Sequence, residues 1–494
     1  MTEISQKPLD EDDHAAGGVM ARRIGLIAGL AAFAIMTYLG PPEGLSALAW
    51  SALSLLALMV IWWVSEAIPV AATALLPLGL LPLMGVVKPA EAAAPYADPI
   101  IFLFIGGFMV AAAIEQCGLH RRIALAVLVA VGSSPAAIVG GFMIATTLLS
   151  MWISNTATAL MMMPIAIAVC KAAAPSGPNQ RKLVAACVLG VAYCASIGGI
   201  GTPVGSPTNL IGLKWLEAND VGLSFPQWMA IGVSIIVVMV PATWFILTKI
   251  AYPLPKHLGD KDASSIILAE QKALGKMSPA ETRVTLIFLS VALAWIFREP
   301  LSNLPGGKGI TDMGIAIIGA VSLFIIPEGD KEKPSKALLD WSVAERIPWG
   351  IALLFGGGLS MAAALDSAGV SDYVGAQMAG IGTLPVIAIV LILVTTTIFA
   401  SELASNVATL TAMLPVLTAI VVATGADPLI VGASATFAAS FGFMLPIATA
   451  ANAIAYATGA PKQVEMIRVG LALNLIGIAT ITLAVATIAP LVRG

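Results

Sequence analysis

Two short polar clusters interrupt otherwise apolar sequence: Ser154-Asn155-Thr156 and Ser405-Asn406-Val407. Ser150 stands four residues before the first and Ser401 four residues before the second. Two more polar breaks, Thr202–Asn209 and Ala448–Asn452, follow further along. Hydroxyl and amide oxygens, with carbonyl oxygens freed where backbone unwinds, are the ligands that hard cations such as sodium take. Half-helix N-termini add free N–H groups and partial positive charge, which suit an anion. The middle of every predicted span lacks Lys and Arg, so an anion would rest on these donors and on nearby bound cations. Its affinity is expected to depend strongly on the cation.

One such cluster says little, because Ser and Thr in membrane helices often bond only their own helix or a neighbour. Duplication changes that. At an offset of 251 residues, Phe104–Gly118 (FIGGFMVAAAIEQCG) aligns with Phe355–Gly369 (FGGGLSMAAALDSAG). The same offset of 251 joins Ser154-Asn155 to Ser405-Asn406 and Pro164 to Pro415. Further on, an offset of 243 joins Gly205-Ser206-Pro207-Thr208-Asn209 to Ala448-Thr449-Ala450-Ala451-Asn452. Gly198, Gly199, Gly201 and Gly205 serve either open backbone at a site or close helix packing. Met161–Met163 read as core filler, and Trp62 and Trp63 as packing or interfacial residues. Glu402 is the sharpest of the acids inside apolar runs. It either influences a cation or holds the tip by accepting backbone N–H bonds, the latter being favoured. Glu66 reads as a helix-end residue, and Glu115 and Asp366 as matched residues near span ends.

The elements that carry these residues are membrane spans. Of 494 residues, 59% are hydrophobic and 11% charged, against about 25% charged in soluble domains. That composition excludes a soluble enzyme, a disordered chain and, at net charge −3, a nucleic-acid binder. The cysteines lie in apolar runs without metal-ligand spacing. Apolar runs fall at about 24–40, 46–64, 68–87, 98–118, 123–170, 183–213, 226–251, 284–297, 310–327, 349–368, 373–423, 427–458 and 469–491. The blocks 123–170 and 373–423 read as re-entrant helical hairpins, leaving about 11 transmembrane helices. The runs 183–213 and 427–458 read as helices broken near 198–207 and 446–452. With the N-terminus inside and the C-terminus outside, 20 of the 25 Lys and Arg fall inside and 5 outside, as the positive-inside rule requires. The span at 98–118 then runs opposite to its partner at 349–368. Inverted repeats with broken helices are the mark of secondary transporters, whose substrate and ions bind near the bilayer midplane.

From about residue 45 to 491 the chain resembles the divalent-anion/sodium symporter family of dicarboxylate, citrate and sulfate carriers. The resemblance rests on the paired clusters at 154–156 and 405–407 and on Ser440–Asn452 (SFGFMLPIATAAN). It implies an all-α polytopic fold with inverted repeats, a scaffold and a transport domain, a homodimer, and an elevator-type movement. The expected divisions are a disordered cytoplasmic tail (1–20), a first repeat with a leading helix (21–255), a cytoplasmic loop (256–283) and a second inverted repeat (284–494). Scaffold helices would occupy 24–118 and 284–368, and transport parts 123–251 and 373–491. The resemblance gives one sodium site to Ser150, Ser154, Asn155 and backbone from Gly198 to Gly205. It gives a second to Ser401, Ala404, Asn406 and backbone near Ala448, so two or more Na+ per protomer are expected. Substrate would meet Ser154, Asn155, Thr156, Ser206, Pro207, Ser405, Asn406, Val407 and Thr449. Two departures stand out: Val407 where the family motif has Thr, and Ala450-Ala451 where Pro-Pro is common. The expected function is sodium-coupled import of C4-dicarboxylates across a bacterial-type inner membrane. The alternatives are a sodium-independent dicarboxylate or citrate exchanger, a sulfate carrier or, distantly, a membrane-embedded enzyme.

Overall fold

The computed structural model describes residues 11–132, 134–255, 263–329, 335–370, 373 and 385–493. Residues 1–10 of the expected tail, 256–262 of the expected loop and the 371–372 flank of the second hairpin lie outside them. Among the described residues the regular structure is helical, with one isolated bridge between Pro327 and Ala337. By residue contacts the chain forms two units, Met1–Ala97 with Gly350–Gln377, and Asp98–Trp349 with Met378–Gly494.

The first unit opens with α1 (Glu11–Leu39), which starts inside the stretch read as a tail, and α2 (Ala47–Ser65). The two pack closely because Gly25 and Gly29 leave room for Ser65 and Trp62. The Trp62 indole donates to Leu26 O at 3.3 Å and that of Trp50 to Met36 O at 2.6 Å. Trp63 is buried and donates to Val70 O. The run at 68–87 is not one continuous helix: it breaks into α3 (Val70–Thr73) and α4 (Leu76–Leu83), and α5 (Pro89–Ala93) follows.

The second unit contains α6 (Pro99–Gln116), α7 (Leu119–Val131), α8 (Pro135–Ser150), α9 (Asn155–Ala173), α10 (Pro178–Gly199), α11 (Pro207–Ala218) and α12 (Phe225–Phe245). Then come α13 (Ala263–Ala273), α14 (Pro279–Ile296), α15 (Arg298–Ser302), α16 (Asp312–Ile325) and α17 (Trp341–Ala344). Next is α18 (Trp349–Ser367), most of which belongs to the first unit. The chain returns with α19 (Val386–Leu403), α20 (Asn406–Thr424), α21 (Pro428–Ala439), α22 (Ala450–Ala457) and α23 (Gln463–Arg493). Local sequence sets the starts. Pro opens α6, α8, α10, α11, α14 and α21, where its missing N–H is no loss. Asp98, Ser134, Ser278 and Asp427 cap four of these by accepting a backbone N–H. The helix α13 occupies part of the stretch read as a loop; Arg121 of α7 binds it through Glu270 at 2.5 Å, and Arg122 binds the start of α14 through Glu281 at 2.8 Å.

Eleven helices among the described residues are long and apolar enough to cross a membrane. The count matches the sequence reading, but the members differ. The hairpin arms α9, α19 and α20 are on this list, whereas 70–83, α16 and α21 are shorter apolar helices. Their sequence runs were extended by loop residues that carry no helix.

The duplicated glycines of the 104–118 and 355–369 segments explain themselves sterically. A Cβ on Gly106 would lie 2.7 Å from the Ala316 carbonyl carbon of α16, and one on Gly357 would lie 2.7 Å from Ala74 Cα. Each lets two backbones approach, as small residues do in membrane helices. Gly106→Val is therefore expected to lower stability by about 1–3 kcal/mol through overpacking. A fall in the apparent melting temperature of the detergent-purified protein would register it.

Candidate functional site

At the first tip α8 ends on Ser150 and α9 starts on Asn155. Ser154 is extended (φ −56°, ψ 144°) and its Oγ accepts from Ala157 N. The Ser150 hydroxyl lies 2.8 Å from Asn155 Oδ1 and 2.7 Å from Ala195 O. At the second tip Ser405 (φ −62°, ψ 146°) accepts from Ala408 N. There the Ser401 hydroxyl lies 2.9 Å from Asn406 Oδ1 and 2.6 Å from Ala439 O. The two tips are the same structure built twice. In each, one hydroxyl proton faces two acceptors, so lone pairs outnumber protons. Such an imbalance is of the kind that a cation can satisfy.

Each tip abuts an unwound segment. The first spans 200–206 between α10 and α11; the second spans 440–449 between α21 and α22, longer than the break read at 446–452. Asn209 Nδ2 donates to Gly199 O at 2.7 Å and Thr202 O at 2.8 Å. Asn452 Nδ2 donates to Gly442 O at 2.9 Å and Leu445 O at 3.1 Å. Thr202 Oγ1 donates to Met151 O. Carbonyl oxygens converge on Gly205, where a Cβ would meet Gly199 O at 2.6 Å, Met151 O at 2.8 Å and Ser150 O at 3.0 Å. The glycines divide as the two readings allowed. Gly199 faces the Asn155 amide and Gly205 the carbonyls, whereas Gly198 packs on Thr147 backbone and Gly201 on Ile236 and Met151.

The two repeats cross. Thr208 Oγ1 lies 2.9 Å from Ser440 Oγ, and Ser206 Oγ lies 2.8 Å from Thr208 Oγ1. Trp215 of α11 donates to Thr418 of α20 at 3.0 Å, and α9 packs against α22. Ser440 adjoins Ala439, the partner of Ser401, so these contacts connect the second tip to the start of α11 in the first repeat. Ser206 is buried at 3% exposure and engaged by Thr208, while Ser154, Asn155, Ser405, Asn406, Val407 and Thr449 are half-buried and Thr156 exposed. Pro207 and Ala404 are half-buried; Ala448 is buried. Before Ala450-Ala451, Thr449 (φ −142°, ψ 152°) has nearly the same backbone as Ser206 (φ −142°, ψ 141°) before Pro207. Thr449 Oγ1 caps α22 instead, accepting from Asn452 N at 3.1 Å.

Glu402 takes the structural role. Buried at 3% exposure, it accepts from Phe443 N at 2.7 Å, Met444 N at 2.8 Å, Leu445 N at 3.0 Å and Asn474 Nδ2 at 2.7 Å. Its first-repeat counterpart is Met151, which offers only its backbone carbonyl.

Two cavities open along one face of α6. One, of about 400 Å³, is lined by Ala111, Glu115, Ser154, Ala157 and Arg346 among others. The other, of about 420 Å³, is lined by Leu103, Pro203, Lys214 and Arg298 among others. Lys214 there pairs with Asp98 and Glu217, each at 2.9 Å. Between them on the same helix, Gly107 faces Val204, 3.3 Å from where a Cβ would stand.

A family profile described as the sodium:sulfate symporter transmembrane region matches residues 20–492. The chain belongs to that family. Among curated relatives, it is 39% identical over 485 residues to the sodium-dependent dicarboxylate transporter SdcS of Staphylococcus saprophyticus, covering 95% of this chain and 92% of that one. It is 38% identical over 484 residues to SdcS of Staphylococcus aureus, with 95% and 92% covered. Among solved structures, MtrF of Neisseria gonorrhoeae, from a class of antimetabolite efflux pumps, aligns at TM-score 0.58 and 13% identity over 95% of this chain and 94% of that one. The Alcanivorax borkumensis transporter YdaH aligns at TM-score 0.54 and 14% identity over 94% and 97%. These last two share the fold. The protein is a multi-pass membrane transporter.

Asn209, Asn452, Thr208 and Ser440 escaped the site assignment made from sequence, although the first three lie in the polar breaks Thr202–Asn209 and Ala448–Asn452 read there. The two asparagines were visible as a matched pair at offset 243, but nothing in sequence gave their donors' targets. Removing the Glu402 carboxylate strands four donors, two of them fully buried, and a buried unsatisfied donor costs about 1–3 kcal/mol. Glu402→Ala is expected to lower the melting temperature of the purified protein sharply, and Glu402→Gln less so.

Proposed function

We propose that the protein is a sodium-coupled symporter that imports C4-dicarboxylates such as succinate, fumarate and malate across the bacterial plasma membrane. The observation that carries this is the twofold excess of oxygen acceptors over protons at Ser150–Asn155 and Ser401–Asn406. Relatives named as sodium-dependent dicarboxylate transporters supply the substrate class. One sodium ion is held by Ser150, Ser154 and Asn155 with backbone between Gly198 and Gly205. A second is held by Ser401, Ala404 and Asn406 with backbone at Ala448. Two or more ions therefore travel with each substrate.

The dicarboxylate sits between the tips. The N-terminal ends of α9 and α20 offer it N–H groups and positive dipole ends, and bound sodium supplies full charge. Ser154, Asn155, Thr156, Ser206, Pro207, Ser405, Asn406, Val407 and Thr449 form its surroundings. Val407 narrows the hydrogen-bonding set by one hydroxyl relative to Thr156. The movement is of elevator type within a homodimer, with transport parts 123–251 and 373–491 carried past scaffold helices 24–118 and 284–368. Access to α6 from two cavities supports it. The N-terminus lies inside and the C-terminus outside.

In proteoliposomes, labelled succinate uptake is expected to vanish when choline replaces sodium. Uptake undiminished without sodium would instead identify an exchanger. Asn155→Ala and Asn406→Ala are each expected to cut uptake by about tenfold or more while the protein still elutes as one folded species. Wild-type uptake in both would reduce the tips to structural elements.

A further inference from the structure

Among the buried oxygen atoms without partners, six form three repeat-matched pairs, while others such as Tyr193 Oη, Ser196 Oγ and Thr482 Oγ1 do not. Asn209 and Asn452 are both wholly buried, and both side-chain oxygens lack a hydrogen-bond donor. An amide carries two N–H donors and one acceptor oxygen. In each residue the Nδ2 group already serves two carbonyls, Gly199 and Thr202 in one and Gly442 and Leu445 in the other. Rotating the amide would turn its oxygen onto those carbonyl oxygens, so the orientation is fixed and Oδ1 has no second choice. A buried hydroxyl can turn to find a partner; an amide oxygen only accepts.

The pattern extends to hydroxyls. Thr146 and Thr397, and Thr158 and Thr409, are buried and unpartnered at the repeat offset of 251, close to either side of the tips. Unpaired buried polar atoms are few in native proteins and call for an explanation. Here they recur in register with the duplication, beside the acceptor-rich tips. Gly199 connects the two sets, since its Cα faces the Asn155 amide and its carbonyl accepts from Asn209. In the second repeat Gly442 accepts from Asn452, and its missing side chain leaves open the space beside Ser401 O, 3.1 Å from a would-be Cβ.

We infer that Asn209 and Asn452 each have two jobs: Nδ2 locks the unwound turn, and Oδ1 supplies an oxygen ligand to the monovalent cation held beside it. The assignment rests on the sodium-coupled reading above and adds to it one side-chain ligand per ion from outside the tips. It makes each cation site a clasp between a hairpin tip and the start of a half-helix, so that ion binding ties the two together.

The test uses full-length protein with Asn209→Ala, Asn209→Asp, Asn452→Ala and Asn452→Asp, and two readouts. One is the sodium concentration for half-maximal uptake of labelled succinate in proteoliposomes. The other is the rise in melting temperature when sodium replaces choline without substrate. Asp keeps the oxygen and loses the N–H donors; Ala loses both. Each Ala variant is expected to raise the sodium midpoint by about tenfold or more and to blunt the sodium-induced rise, with each Asp variant much nearer wild type. If Asp and Ala variants lower the basal melting temperature alike while the sodium midpoint stays at the wild-type value, the amides only brace backbone and the inference falls. If Asp shifts the midpoint as far as Ala does, the N–H donors carry the effect and it falls too. Should an Ala variant fail to fold, the Asp variant decides alone: a midpoint within about threefold of wild type supports the ligand role and a larger increase overturns it. A wild-type protein with no sodium response would defeat the sodium-coupled reading itself, a distinct outcome.

Discussion

Backbone that leaves the helix inside a bilayer has no water to bond, and its N–H and C=O groups must be satisfied by the protein. This constraint organises the second unit. Two unwound segments are tolerated because amide side chains, hydroxyls and one carboxylate reach them. Asn209 and Asn452 pin two carbonyls each, Thr202 reaches Met151 O, and Glu402 gathers three consecutive N–H groups. What these contacts leave over is oxygen, concentrated at Gly205 and at the Ser–Asn pairs. The same polar residues that make the breaks possible thus leave the oxygen-lined ground on which the proposed cation sites rest.

The duplication hides an asymmetry. The first unwound segment is short and its bracing is neutral: a Thr hydroxyl on a carbonyl. The second runs over 440–449, and the Glu402 carboxyl group holds it. Gly205 leaves a gap among carbonyls where Ala448 places a methyl group. Two segments of common origin therefore differ in the space they leave and in the group that braces them.

Much of this was legible in the sequence because the signals were duplicated. Ser154-Asn155 and Ser405-Asn406 stood out only as a pair, and the pair located both tips to within a few residues. Glu402 could be read as a tip-holding acceptor from its place inside an apolar run. Span membership was less legible. Apolar loop residues extended the runs at 68–87 and 310–327, where composition alone cannot distinguish a continuous helix from a broken one. The second break was placed late because Ser440–Leu445 is mostly apolar, and nothing in its composition shows a carboxylate capturing its N–H groups. The crossing of the repeats was invisible, since single hydroxyls at 208 and 440 carry no pairing signal.

That crossing sets an order on biogenesis. Thr208 waits for Ser440, 232 residues later, and Trp215 for Thr418, 203 residues later. While the first half emerges from the ribosome, its hairpin and broken helix already exist as sequence but have nothing to close on. Maturation of the pocket is a late event in synthesis, and a nascent chain halted before residue 440 holds half of an interlock.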